Sequence, residues 1–434
     1  MMRLVVIGAG PGGYETAAEA AKRGFDVVLV SAGPLGGTCL NEGCIPTKSL
    51  IHSVSEGSAM SLQEAVSHKS EVVKQLQSGI TMLLKKVKVV FGKARFVDAH
   101  TVAVDGEDGQ TQEFAADKVI IATGSVGAVL PVPGAEMAIG SKEILDLVEV
   151  PASLAIIGGG VIGLEFAGIF RSLGTEVTVL EYCPGILPRF DVDAAKRLKQ
   201  SLVRSGINIV TSAQVTGIVK EDDGLSVQYN LKDEQKSVKA QKVLMAVGRR
   251  ANVDSLNLAD IGIDFDRRGI KVDQQMRTNV PDVYAVGDVT GGIMLAHVAT
   301  YQGLRALNDI CGIQDSINFS AVPAVVFTNP ELATVGLTEE DCEARGIAFK
   351  ALKSFYRANG KAVASGQGDG YCKVLVGESD GKILGCHMLG AHASDIIQEA
   401  AALISLGATL QQARWIIHPH PTLCEVLQSA LHSA

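Results

Sequence analysis

Two short stretches, Gly8 to Gly13 (GAGPGG) and Gly158 to Gly163 (GGGVIG), share one punctuation: an apolar run in front, glycine at the first, third and sixth positions, and a helical segment behind. The runs are Arg3 to Ile7 and Leu154 to Ile157, and the helical segments are Tyr14 to Arg23 and Leu164 to Leu173. This reads as strand, glycine turn, helix. Gly8 and Gly158 permit the tight turn, Gly10 and Gly160 let backbone approach a pyrophosphate, and Gly13 and Gly163 let helix and strand pack closely, with the helix N-terminus facing the anion. A glycine turn alone decides little. Here each is followed at the right distance by a second strand, Asp26 to Val30 and Glu176 to Leu180. Two such units in one chain imply two bound dinucleotides and an α/β fold with two doubly wound, Rossmann-like domains.

The units differ at the end of the second strand, where this fold usually places an acidic residue to hold the adenosine ribose. The first unit has Ser31, a neutral and shorter partner that holds a hydroxyl less firmly, or a plain strand-end serine. The second has Glu181, which accepts hydrogen bonds from ribose hydroxyls and repels a 2′-phosphate. No arginine pair stands there to welcome NADP, so NAD is the expected second ligand.

A chain of 434 residues is too long for one ordinary core, and two to four domains are expected. A formal charge of −8 leaves no basic footprint for nucleic acid, and no apolar run is long enough to span a bilayer. Met1-Met2-Arg3 leads straight into an apolar strand, so no secretory leader is expected. Eight scattered cysteines do not make a secreted disulfide framework; a reducing cytoplasm fits them better.

Two of those cysteines stand five positions apart in Gly36 to Lys48, GGTCLNEGCIPTK. On a regular helix Cys39 and Cys44 would sit roughly 8 to 9 Å apart at Cα, beyond the ~7 Å limit for a disulfide. Gly43 and Pro46 are placed to bend the chain between the sulfurs. The stretch is read as a redox-active disulfide, against two unconnected thiols or half a metal site; no second cysteine pair follows at metal-binding spacing.

GGTCLNEGCIPTK resembles the disulfide signature of the flavin-dependent pyridine nucleotide–disulfide oxidoreductases, the group that contains lipoamide dehydrogenase, glutathione reductase and mercuric reductase. The resemblance covers essentially the whole chain and implies FAD and NAD as cofactors. It places Thr38 and Lys48 at the flavin, with Lys48 paired to Glu165 on the helix of the second unit. It puts the Ala94 backbone against the adenine. Lys118 to Gly124 (KVIIATG) resembles the family's ATG motif and carries Thr123 and Gly124. Val283 to Asp288 resembles its second flavin motif, in which Asp288 holds the ribityl chain, and Leu295-Ala296-His297 is similar to the LAH form of lipoamide dehydrogenases. His297 itself reads as a packed or capping histidine. Val215 and Ala246 to Gly248, otherwise core and turn, would line the nicotinamide dinucleotide.

Between these motifs, Ile51 to Val87 has helical spacing, with Val66, Val73, Leu76, Ile80 and Leu83 as expected core positions. Lys88 to Val104 alternates as strands around Gly92. Pro131 to Gly140 is a connector. From about Phe319 the pattern becomes strands followed by a helix, Ala393 to Leu406, which suggests an α+β domain. The resemblance identifies it as the interface domain of a homodimer. The expected division is 1–142 and 266–317 for the FAD-binding domain, 143–265 for the NAD-binding domain and 318–434 for the interface domain.

His418 to Glu425 reads HPHPTLCE. Residues before proline favour extended backbone, so both histidines sit on stiff chain ahead of a helix. Thr422 and Glu425 by themselves fit a capping box. The resemblance to the family's H-P-T-x-x-E pattern makes His420 the catalytic acid/base, contributed to the other subunit's site, and Glu425 the carboxylate that orients it. His418 is the nearest rival, and Cys424 has no assigned role.

These resemblances imply oxidation of dihydrolipoamide, carried on a protein of a 2-oxoacid dehydrogenase or glycine cleavage complex, through Cys39, Cys44 and FAD to NAD. A mercuric reductase would be expected to show a further cysteine pair near LHSA, and Glu181 disfavours a glutathione reductase. A non-catalytic complex subunit is the reading from a different class; the joint presence of Cys39, Cys44, His420 and Glu425 speaks against it.

Overall fold

The computed structural model describes residues 1–54 and 60–433. Two parallel sheets repeat one construction. In the first, strands run in the order 283–285, 118–121, 3–7, 26–31, 88–91, all parallel. In the second the order is 208–211, 176–181, 153–157, 242–245, again all parallel. Each glycine turn feeds a helix, Pro11–Lys22 or Val161–Ser172, whose N-cap is the third residue of its motif, Gly10 or Gly160. Each parallel sheet is accompanied by a three-stranded antiparallel meander, 93–98/101–105/111–115 and 213–221/224–231/234–240. The strand Val283–Ala285 pairs with Lys118–Ile121 although the whole second sheet lies between them in the chain. A short antiparallel ribbon, Ser125–Gly127 against Arg249–Ala251, ties the two units together.

Why the glycines are required can be read from the space around them. A Cβ on Gly8 would lie 2.2 Å from the Ala122 carbonyl oxygen, and one on Gly158 2.3 Å from that of Ala246, with φ of +110° and +114°. A Cβ on Gly13 would meet the Gly8 oxygen at 1.8 Å, and on Gly163 the Gly158 oxygen at 2.1 Å. Only glycine permits both the turn and the close packing of helix on strand.

The third unit is a five-stranded antiparallel sheet in the order 324–326, 331–336, 383–390, 371–377, 349–355. The helices Ala393–Ser405 and Glu425–Leu431 share one apolar core with it, built from residues such as Val374, Met388, Ile397 and Leu427. At its junction with the second unit, Lys373 Nζ lies 2.7 Å from Asp191 and 2.8 Å from Glu339, with both Lys373 and Asp191 side chains 1% exposed. Asp191 also caps the helix Val192–Arg204 by accepting from the Ala194 amide at 3.0 Å.

The helical reading of residues 51–87 resolves into two helices. Cys44–Ser53 ends near Val54, and Leu62–Leu83 begins at Ser61, whose hydroxyl and the Glu64 carboxylate form a capping box; residues 55–59 of that stretch lie outside the described ones. Val66, Val73 and Ile80 pack inward as expected. Leu76 and Leu83 do not: they are 42% and 43% exposed although they share a face with the buried Leu62 and Lys69, because that face is covered along the first half of the helix and only Ile80 is buried in the second.

The junction between the second and third units generates a prediction. Lys373→Met leaves the Asp191 carboxylate buried without its ammonium and should destabilise the protein by about 3–5 kcal/mol in denaturant unfolding. Asp191→Asn/Lys373→Met should cost less than the sum of the two single changes, because the pair acts as one unit.

Candidate functional site

The two glycine turns open onto a single continuous cleft of about 2560 Å³, larger than the 300–1,000 Å³ of an ordinary small-molecule pocket. Gly10 and Gly160 face it with no atom within 4 Å of where a Cβ would be, so each presents bare backbone at a helix N-terminus. Nearly all the cofactor-side residues singled out above line this cleft: Ser31, Thr38, Lys48, Ala94, Thr123, Gly124, Asp288 and Ala296 on one side, and Glu165, Glu181, Val215, Ala246 and Gly248 on the other. Gly13 and Gly163 do not reach it; their place is behind, between helix and strand.

The cysteine stretch is seated directly on the first glycine turn. The Gly36 amide donates to the Ala9 carbonyl at 2.9 Å, and a Cβ on Gly37 would strike Gly10 Cα at 2.6 Å. Cys39 lies in the short helix Gly37–Asn41 and Cys44 opens the helix Cys44–Ser53, so the regular helix is broken between them at Glu42–Gly43. The break works differently from expectation. Gly43 keeps a negative φ and is needed because a Cβ there would lie 3.0 Å from the Thr38 carbonyl oxygen. Pro46 sits in the first turn of the second helix, where a missing N–H is harmless.

Both cysteines are free thiols on the wall of the cleft, Cys44 open to it and Cys39 half-buried. The pair titrates as a unit. The Cys39 thiol, donating to the Cys44 sulfur, and the Lys48 ammonium hold the Cys44 thiol down to about 7 against the opposing effect of burial. Loss of a second proton is correspondingly difficult, and the hydrogen bond to Cys44 together with burial pushes Cys39 well up.

Lys48 is fixed by three parts of the chain at once. Its Nζ lies 2.9 and 2.8 Å from the two oxygens of Glu165, whose side chain is 4% exposed, and 4.6 Å from the centre of the Phe327 ring. The Phe327 amide donates to the same carboxylate at 3.0 Å.

On the opposite wall, Ser125 donates to Asp288 at 2.5 Å and accepts from Arg249 Nε at 2.7 Å. Thr123 donates to the Asn252 carbonyl at 2.7 Å. Sequence reasoning missed Ser125, Arg249, Asn252 and Phe327, and the only available signal was the adjacency of Ser125 to Gly124 and of Arg249 to Gly248. Glu181 accepts from the amides of Gly159 and Cys183, both at 2.6 Å, while Ser31 donates to the Gly33 carbonyl at 2.7 Å.

His420 and Glu425 are brought together, but away from the cleft of their own chain. His420 Nδ1 is 2.9 Å from Glu425 Oε1, and the histidine side chain is 79% exposed. The other Glu425 oxygen accepts from the Thr422 amide at 2.8 Å, which with the histidine holds its carboxyl below the usual range. Only half of the expected capping box forms: the helix begins at Glu425, and the Thr422 hydroxyl turns back to the Pro419 carbonyl at 2.8 Å. His418 belongs to a separate pair, 2.9 Å from Glu399 and almost fully buried. His297 is not packed as expected: it is exposed and lines the cleft in the first turn of the helix Ala296–Ile310, with Nε2 3.0 Å from the Pro323 carbonyl oxygen and partial desolvation lowering its pKa.

Residues 2–303 match the model of the pyridine nucleotide-disulphide oxidoreductase family, and residues 322–431 match that family's dimerisation domain. The chain belongs to this family. It is 42% identical to the dihydrolipoyl dehydrogenase of Geobacillus stearothermophilus over 450 aligned positions, covering 99% of this chain and 95% of that protein. It is 40% identical to one from Bacillus subtilis, with 99% and 96% covered. Among solved structures, LpdA from Mycobacterium tuberculosis is similar with a TM-score of 0.92 at 28% identity, covering 100% of this chain and 99% of that one. The HOCl-induced flavoprotein disulfide reductase RclA from Escherichia coli, as its Cu(II) complex, gives 0.90 at 29%, with 99% of each covered.

This is a flavoenzyme of the oxidoreductase family, and its cofactors are FAD and NAD. The residues present fit both: two glycine cradles that a Cβ would fill, two helix N-termini for two pyrophosphates, and one cleft spacious enough for both dinucleotides. Among the described residues no helix is long and apolar enough to cross a membrane, and no group of three or more His, Cys, Asp or Glu could hold a metal ion.

The thiol pair carries its own test. In the reduced protein, alkylation at Cys44 should rise with pH through an inflection near 7, below that of an ordinary exposed thiol. Because the Cys39 hydrogen bond is the larger influence and Lys48 the lesser, Cys39→Ala should raise the inflection most and Lys48→Met less, both measured by the rate of iodoacetamide labelling against pH.

Proposed function

We propose that this chain is an NAD-dependent dihydrolipoyl dehydrogenase that oxidises dihydrolipoamide on a carrier protein through Cys39 and Cys44. The observation that carries the reading is the placing of Cys39 and Cys44 together, with the Lys48–Glu165 pair, on the wall of one cleft that two dinucleotide cradles share. Full-length identity of about 40% to dihydrolipoyl dehydrogenases supports the substrate class.

The chemistry follows from the sulfurs. A thiolate of the dihydrolipoyl group attacks Cys39 Sγ of the Cys39–Cys44 disulfide; the S–S bond breaks and Cys44 leaves as the thiolate that Lys48 stabilises. The second substrate sulfur then displaces Cys39, closing the lipoyl ring, so one disulfide is made and one is reduced. His420 takes the proton that generates each attacking thiolate and returns one to Cys39, and Glu425 steadies the imidazolium. Bound FAD supplies the two-electron relay between the reduced pair and NAD. Gly8, Gly10, Gly13, Ser31, Thr38, Lys48, Ala94, Thr123, Gly124, Asp288 and Ala296 would hold FAD; Gly158, Gly160, Gly163, Glu165, Glu181, Val215, Ala246 and Gly248 would hold NAD or its surroundings.

In one chain His420 stands outside the cleft that holds Cys39. A homodimer resolves this, with His420 of the partner subunit facing Cys39. The family's dimerisation domain and the exposed Trp415 (77%) and Ile417 (94%) beside the histidine segment support that arrangement. The sheets follow the division into 1–142 with 266–317, 143–265 and 318–434 except ahead of 266, where Leu256, Leu258 and Ile263 already pack in the core of the first unit and Phe265–Asp266 pairs with Gly269–Ile270. The six cysteines outside the Cys39–Cys44 pair, scattered and without a disulfide framework, favour the cytoplasm, and the carrier belongs to a 2-oxoacid dehydrogenase or glycine cleavage complex.

Anaerobic titration of the yellow protein with NADH, and separately with dihydrolipoamide, should each raise a long-wavelength absorption band that Cys44→Ser abolishes. A protein that stays colourless when FAD is supplied, or one that responds to neither reductant, contradicts the proposal. His420→Gln should lower kcat for dihydrolipoamide oxidation on the order of 10²- to 10⁴-fold.

A further inference from the structure

The two glycine-turn units correspond position by position, and they part at the adenosine end. In the second, the Glu181 carboxylate is 7% exposed and is held from beneath by the amides of Gly159 and Cys183, each at 2.6 Å. Its remaining lone pairs face the cleft as a fixed anionic acceptor for two ribose hydroxyls. The same positions in the first unit are Ser31, Ala9 and Gly33. Ser31 is 4% exposed and spends its one proton on the Gly33 carbonyl at 2.7 Å. Among the described residues, the Ala9 and Gly33 amides have no acceptor.

We propose that Ser31 makes the first site grip its dinucleotide loosely, so that the protein exchanges FAD with solution while the NAD site keeps a full carboxylate grip. The inference rests on the reading of the first site as the FAD site. A charged acceptor makes hydrogen bonds roughly twice as strong as a neutral one, and a carboxylate offers two oxygens where the hydroxyl offers one. Nothing lies within 4 Å of a Cβ on Gly33, so the place where a longer acceptor would lie is open. Ala9 supplies a methyl at the position of Gly159, where a Cβ would come within 3.1 Å of Glu181 Cβ and Oε2. Alanine beside serine and glycine beside glutamate are therefore two self-consistent sets. The adenosine half of the first site contributes bare backbone at the pyrophosphate and little at the ribose. The loaded fraction of the enzyme accordingly follows the free flavin concentration.

The test is titration of the apoprotein with FAD, read by quenching of flavin fluorescence, together with the rate of flavin release from the holoprotein on dilution. Ser31→Glu, and Ala9→Gly/Ser31→Glu where the methyl crowds the new side chain, should bind FAD at least tenfold more tightly and release it more slowly. Ser31→Ala should stay within about threefold of the wild type. In the mirror experiment Glu181→Ser should weaken NADH binding about tenfold or more, and NADH binding by the Ser31 variants reports that they are folded. FAD affinity within threefold of wild type in both carboxylate variants overturns the proposal, as does a tenfold loss in Ser31→Ala. Failure of every protein, wild type included, to take up FAD overturns instead the reading of the first site on which it rests.

Discussion

An ammonium held against a nearly buried carboxylate is the contact on which the site depends. Lys48 comes from the cysteine helix, Glu165 from the helix of the second glycine turn, and Phe327, whose ring and amide touch both, from the start of the third sheet. Removing the lysine would strand Glu165 in the interior, and the penalty for an unpaired buried charge exceeds the worth of the pair itself. The pair therefore fixes how the three units meet. It also places a positive charge beside Cys44, so the contact that joins the units adds to the effect of Cys39 in holding the Cys44 thiol down.

The rest of the molecule is a duplicated frame adapted around that contact. Each half brings a parallel sheet, a glycine turn and a helix N-terminus to one side of a common cleft, and the Ser125–Gly127 ribbon against Arg249–Ala251 keeps the halves in register. Arg249 reaches across that ribbon to Ser125 and through it to Asp288, so a residue just beyond one glycine turn of the second unit steadies a carboxylate of the first. The third unit carries His420 and Glu425 on a separate, exposed segment, with the Glu425 carboxylate serving the histidine with one oxygen and the turn at Thr422 with the other. Turn bracing and imidazole orientation are one arrangement here, while the helix itself starts at Glu425 without a side-chain cap.

What could be read from the sequence was whatever depends on local geometry. Gly8, Gly13, Gly158 and Gly163 were legible because no other residue fits a positive φ or a sub-3 Å approach of backbone, and the break between Cys39 and Cys44 because a regular helix keeps them apart. The Lys48–Glu165 and His420–Glu425 pairs were reached through family resemblance, since the first joins residues 117 positions apart. Leu76 and Leu83 were misplaced because helical spacing gives a face but not how far along the helix the core covers it. Ser125, Arg249 and the buried Lys373–Asp191 pair were illegible: each is an ordinary polar residue whose partner lies more than a hundred positions away.

The central claim is that Cys39 and Cys44 form one reversible sulfur pair that NADH can reach. Thiol labelling with peptide mapping, before and after anaerobic addition of NADH, tests it most directly. The account predicts a Cys39–Cys44 linked peptide in the air-oxidised protein and two labelled cysteines, at those positions, once NADH is added. Labelling of both before reductant, or a link that NADH leaves intact, would contradict it.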